Sequence, residues 1–186
     1  MEIARLRQEV GPRDHALGPE LAPVTLVEYG DYECPHCARA ARTVAHLREE
    51  FGADLRFVFR NFPLRQIHPH AEAAAEAAEA ADAQGSFWEM HALLFENQNA
   101  LERNHLIDYA SRLGLHAERF VSDLNEAKFS FRIREGIRSG LRSGVNGTPT
   151  FFIDGERYDG PNELEPLISA IRAALARSEM SRRKAG

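Results

Sequence analysis

The sequence is short of several things: it has two cysteines in 186 residues, no excess of positive charge, and no apolar run of bilayer length. Two cysteines cannot build a disulfide framework, so the fold must rest on a buried core, for which this length is ample. Spanning a bilayer takes about 20 consecutive, mostly apolar residues, and no segment comes near that. The formal net charge of -5 argues against nucleic acid or an anionic membrane surface as partner. Met1 to Glu9 is charged every few residues and lacks the apolar core of a secretory signal peptide. The expectation is therefore a cytoplasmic protein, or a periplasmic one if an export signal was trimmed. Internal repeats are absent too. With 44% hydrophobic and 27% charged residues, the composition is that of a globular protein and excludes disordered and fibrous classes.

What is present reads as alternating strands and helices. Val24 to Tyr29 is β-branched and mostly apolar, as a covered central strand should be. Ala38 to Phe51 carries Ala41, Val44, Ala45, Leu47 and Phe51 at helical spacing, Gly52 is a stop, and Leu55 to Phe59 reads as a second strand. Strand, helix, strand predicts a parallel right-handed βαβ unit. From Gln66 to Arg142 the pattern is helical. Ala71 to Ala83 is alanine-rich, with Glu72, Glu76, Glu79 and Asp82 expected to form a solvated face. Ser86 to Phe95 and His105 to Leu113 follow. One helix is then expected from Glu118 to about Leu141, with Phe120, Leu124, Ala127 and Phe131 on one side. Trp88, Phe87 and Phe95 are expected in the core of this region. Arg134, Arg138 and Arg142 read as a solvated stripe.

Strands return at Thr150 to Ile153 and Arg157-Tyr158, around the turn signal Asp154-Gly155. Pro161-Asn162 opens a last helix carrying Leu164, Leu167, Ile168, Ile171 and Leu175. The domain organisation expected is a polar segment over residues 1–22 and a single domain over 23–178. A helical insertion at about 66–142 interrupts that domain, and a flexible tail over 179–186 follows it.

The two cysteines lie three positions apart, at Cys34 and Cys37. A bridge closing so short a loop constrains little of the unfolded chain, so the pair calls for a chemical explanation. Cys34 falls at the helix N-cap and Pro35 at the first helical position, which proline fits. Helix amides and dipole then favour the Cys34 thiolate, and His36 adds charge or a hydrogen bond. The same stabilisation makes Cys34 a better leaving group. Cys37, one turn in, is expected to be more buried and to act as the resolving thiol. A pair of inert buried cysteines is the plain alternative. A zinc site is another, but there is no second CxxC, and His68 and His70 are the nearest residues that could complete one. No metal is expected.

Tyr29-Gly30-Asp31-Tyr32-Glu33-Cys34-Pro35-His36-Cys37 and Gly147-Thr148-Pro149-Thr150-Phe151 resemble the two signature segments of the DsbA-like thiol-disulfide oxidoreductases of the thioredoxin superfamily. The resemblance runs from about Pro23 to Ala176. It implies an α/β, thioredoxin-like fold: a central mixed sheet flanked by helices, with an inserted all-helical subdomain. It also implies that Pro149 is a cis-proline facing the cysteines and that the backbone of Thr148 pairs with an extended substrate. Glu28 matches a buried acid that moves a proton to or from Cys37. No cofactor is expected beyond the redox-active disulfide, with glutathione or another thiol as co-substrate. The expected partners are protein thiols and disulfides, small thiols and a redox partner protein. Two other readings stay open: a glutathione-dependent isomerase or transferase on this scaffold, and a non-catalytic binding module.

Overall fold

Two seven-residue strands supply the centre of the sheet: β2 (Val24–Gly30) and β3 (Leu55–Asn61). Consecutive residues Leu26, Val27, Val58 and Phe59 are all fully buried, which requires cover on both faces of the sheet. Three shorter strands complete it, β1 (His15–Leu17), β4 (Thr150–Ile153) and β5 (Glu156–Tyr158), in the order β1-β3-β2-β4-β5. In register, His15 faces Phe59, Leu26 faces Ile153, and Phe151 faces Tyr158, each pair antiparallel. Asp154 and Gly155 both adopt positive φ, 49° and 79°, the two-residue turn whose twist suits a hairpin. This computed structural model describes residues 4–185. The sheet is mixed and the fold thioredoxin-like.

The helices are α1 (Pro35–Phe51), α2 (Ala71–Asp82), α3 (Phe87–Glu96), α4 (Arg103–Arg112), α5 (Ala117–Asn125), α6 (Ser130–Arg142) and α7 (Leu164–Ala185). The chain divides into two compact units. The first takes in the residues up to Tyr29, Arg39–Arg60, and the chain from Ser139 on; it holds most of the sheet, the body of α1, and α7. The second joins Gly30–Ala38 to Asn61–Arg138, whereas the sequence suggests one domain with an insertion at about 66–142. The cysteine-bearing turn thus belongs with the helices.

In the first unit the described part of the polar segment over 1–22 is tied into the sheet. His15–Leu17 is a strand, and Arg60 ties down what precedes it. Its guanidinium makes a two-pronged contact with Asp14 at 2.8 and 2.9 Å. It also donates to the carbonyls of Gln8 and Glu9 and to the Tyr29 hydroxyl. Burial opposes the Arg60 charge, but Asp14 and Tyr29 together outweigh it and hold the pKa above its ordinary value. The expected flexible tail, 179–186, continues α7 as far as Ala185. Arg182, Arg183 and Lys184 are good helix formers and complement the C-terminal dipole.

In the second unit α2 packs against α3, α4 and α5, where its buried alanines allow close approach. The acids of α2 do not form a solvated face. Glu76 and Glu79 are 6% and 3% exposed. Glu79 accepts from Asn61 Nδ2 at 2.9 Å and pairs with Arg132 at 2.9 Å; Glu76 accepts the Phe129 amide at 3.0 Å. That amide lies where the single helix expected from Glu118 breaks into α5 and α6. Ala127 turns left-handed at φ 45°. Lys128 N–H reaches Asp123 O, and Ala127 N–H reaches Leu124 O, the paired bonds of a Schellman end. Further along, α6 comes so close to the end of β3 that a Cβ on Gly136 would lie 2.8 Å from Asn61 O.

Candidate dithiol site

The turn between β2 and α1 is built around two peptide groups of Asp31. The Asp31 carbonyl accepts the Cys34 amide at 3.2 Å, and the Asp31 amide points at Cys37 Sγ at 3.4 Å. Cys34 O accepts from Cys37 N and Ala38 N at 3.0 and 3.2 Å, as the carbonyl preceding a helix should. Pro35 then opens α1, whose first turn holds no acid. The two cysteines are not joined as a disulfide; Cys34 is 4% exposed and Cys37 is fully buried. Pro35 and His36 are exposed.

Side chains from the second unit's own helices and loops clamp this turn. The Asp31 carboxylate, 1% exposed, accepts the amides of Glu33 at 2.8 Å and Leu64 at 2.7 Å. Its second oxygen also lies 2.8 Å from His68 Nδ1. Two residues on, the pattern repeats: Glu33 accepts the His70 amide at 2.7 Å and meets His70 Nδ1 at 3.0 Å. Gln98 Nε2, beyond α3, donates to both Tyr32 O and Cys34 O, at 2.7 and 2.9 Å. The Tyr32 ring is buried against Phe95, its hydroxyl 3.0 Å from His91 Nδ1. Trp88 and Phe87 complete this aromatic group around His91. Phe95, expected only to pack the insertion, therefore braces the cysteine turn through Tyr32.

Of the residues singled out by sequence, Cys34, Pro35, His36 and Cys37 stand together on the turn and first helical turn. Glu28 is 1% exposed on β2, in the first unit. Thr148 and Pro149 are half-buried in the loop before β4, also in the first unit, and the bond between them is cis. Thr150 Oγ1 donates to Gly147 O at 2.7 Å across this loop. His68 and His70, weighed as metal partners of the cysteines, direct Nδ1 at carboxylates instead. Arg134, Arg138 and Arg142 are exposed along α6. Asp31, Glu33 and Gln98 were not legible as site residues. Asp31 and Glu33 meet histidines 37 positions away, and Gln98 reaches carbonyls 64 and 66 positions away; no local spacing marks them.

Comparison with known proteins agrees with this fold. A family model described as Thioredoxin matches residues 11–173. A protein of Salinispora arenicola named Na(+)/H(+) antiporter NhaA 1 is 47% identical over 164 residues, covering 88% of this chain. The chain spans only about a quarter, 25%, of that relative's length. A thioredoxin-like oxidoreductase from Silicibacter pomeroyi superimposes with a TM-score of 0.78 at 29% identity, covering 88% of this chain and 93% of the other. The α-DsbA1 of Wolbachia pipientis superimposes with a TM-score of 0.82 over 92% and 96% of the two chains. At 20% identity the latter bears on the fold alone.

Proposed function

Because the chain belongs to the thioredoxin family, we propose that it is a thiol-disulfide oxidoreductase working through Cys34 and Cys37. The observation that carries this reading is the placement of the pair. Cys34 immediately precedes a 17-residue helix, and Cys37 lies one turn inside it under a fixed backbone. The helix amides and dipole favour charge at Cys34, making it the attacking and leaving sulfur. The more buried Cys37 is the resolving thiol.

In the reducing direction the Cys34 thiolate attacks a substrate disulfide, forming a mixed disulfide and releasing one substrate thiolate. Cys37, giving up its proton, attacks the Cys34 sulfur; the second substrate thiolate leaves and takes a proton. Two electrons have passed to the substrate, and Cys34 and Cys37 are now bridged. Oxidation of a substrate dithiol runs the same steps backwards, with Cys34 as leaving group. The substrates are protein thiols and disulfides, and glutathione or another small thiol serves as co-substrate. The roles that the resemblance gives Glu28, Thr148 and Pro149 are kept in this reading and rest on it alone.

The antiporter name describes relatives of which this chain matches a quarter. Among the described residues no helix is long and apolar enough to cross a membrane.

The test is disulfide reduction and dithiol oxidation by the purified protein. Cys34→Ser should abolish both, and Cys37→Ala should accumulate mixed disulfides through Cys34. Activity retained without Cys34 overturns the mechanism.

A further inference from the structure

The backbone of Asp31 bonds to both cysteines, through its carbonyl to Cys34 N and through its amide to Cys37 Sγ. Fixing the Asp31 side chain helps to hold those two peptide groups in place. Three donors fix it: two backbone amides, and His68 Nδ1 at 2.8 Å. The amides belong to the chain's own course, so His68 is the one side chain among the three. Asp31 is fully enclosed and His68 half-buried, with side-chain exposures of 0% and 15%. At that depth a hydrogen bond to a carboxylate is strong and its loss costly.

Resting on the dithiol reading, we propose that His68 is a positioning residue of the redox site, acting on Cys34 and Cys37 through Asp31. It touches neither sulfur. Its ring donates to the buried carboxylate of the residue whose amide points at Cys37 Sγ and whose carbonyl accepts the Cys34 amide. Removing it acts twice in one direction. The amide that favours an anion at Cys37 is released, and the buried Asp31 carboxylate, which disfavours an anion at either sulfur, loses a hydrogen-bond donor. Both changes disfavour the thiolate. Replacing Asp31 itself would set these two effects against each other, which makes His68 the better probe. In the second pair the His70 ring meets the Glu33 carboxylate, and it serves as a control.

The experiment is titration of the reduced full-length protein by thiolate absorbance, together with its rate of alkylation at neutral pH. His68→Leu should move the thiolate midpoint up by about half to one pH unit and slow alkylation roughly three- to tenfold. His68→Asn, which can return an amide donor close to the position of Nδ1, should stay within about twofold of wild type. His70→Leu should leave the midpoint unchanged. A folded His68→Leu protein with an unaltered midpoint overturns the proposal, as does a His68→Asn protein as impaired as His68→Leu. Should His68→Leu not fold, the wild-type ring carries the test. Coupling between two sites is reciprocal, so the His68 imidazole resonances must shift when the cysteines are oxidised, and unshifted resonances overturn the proposal. None of these readouts requires turnover. A wild-type protein that exchanges no disulfides would overturn the oxidoreductase reading while the titration still decided the role of His68.

Discussion

Asp31 and Glu76 are both buried carboxylates, and the chain treats them differently. Asp31 has three donors around it. The Glu76 carboxylate accepts the Phe129 amide through one oxygen, while the other has no hydrogen-bond partner. Burial pushes the Glu76 pKa above its ordinary 4.5, the Phe129 amide opposes this, and Glu72 and Glu79 add to it. An acid whose pKa is raised by folding is penalised wherever it is ionised. The penalty is complete above the raised pKa and fades as pH falls through it toward 4.5. Glu76→Gln keeps an acceptor for Phe129 and should therefore raise the thermal midpoint at neutral pH. That gain should shrink in acid. Melting curves against pH check this, and a gain that grows on acidification would contradict it. Neither environment could be read from sequence. Cys34, Pro35 and Cys37 were legible because their chemistry depends on near neighbours along the chain. Asp31 depends on His68, 37 residues away, and histidine and aspartate are ordinary loop residues.

At the scale of elements, hydrophobic spacing located most of the helices and strands but not every break in them. The pattern Phe120, Leu124, Ala127, Phe131 continues across the α5–α6 junction without glycine or proline to interrupt it. The chain nevertheless turns left-handed at Ala127, a conformation that costs an L-residue roughly 1–2 kcal/mol and glycine far less. Ala127→Gly should stabilise the protein by about 1 kcal/mol, or ~2–4 °C in thermal midpoint for a chain of this size. A lower midpoint would show that the left-handed turn is not kept in solution. Gly136 is the reverse case. Alanine there would gain helix propensity, but its Cβ would meet the Asn61 carbonyl oxygen, a backbone atom with little room to yield. Gly136→Ala should cost about 1–2 kcal/mol in denaturant unfolding, net of propensity. Alanine-rich composition likewise predicted α2 without revealing which of its faces is buried, so Glu76 and Glu79 were misplaced. Strand β1 was missed because three residues carry too little pattern.

At the scale of the whole molecule, the division into units does not follow the order of the sequence. β2 and β3 each hand over at their last residue, Gly30 and Asn61, and Gly30 O accepts the Phe62 amide just past that point at 2.8 Å. The segment Gly30–Ala38 and the helices of Asn61–Arg138 thus form one set of contacts. Cooperative opening follows such sets. Native-state hydrogen exchange should show the buried amides of the cysteine turn opening with α2 and α3, at a free energy distinct from that of β2 and β4. If the turn instead exchanges with the sheet strands, the unit boundary is misplaced. A single domain with an insertion was the natural reading of the sequence, because the segment that joins the helices across the chain is only nine residues long.

Trp88 is the only tryptophan in the chain, and its ring lies 5.1 Å from that of His91. His91 meets the Tyr32 hydroxyl, and Gln98 holds Tyr32 O and Cys34 O through a single amide nitrogen. The protein therefore carries a built-in optical probe, wired to the cysteine turn by a few contacts. Emission from one indole needs no deconvolution, so closing or opening the Cys34–Cys37 bridge should be readable as a change in native fluorescence, without a label. Gln98→Leu should blunt that signal, and an emission spectrum indifferent to oxidation would show that the contacts do not transmit it.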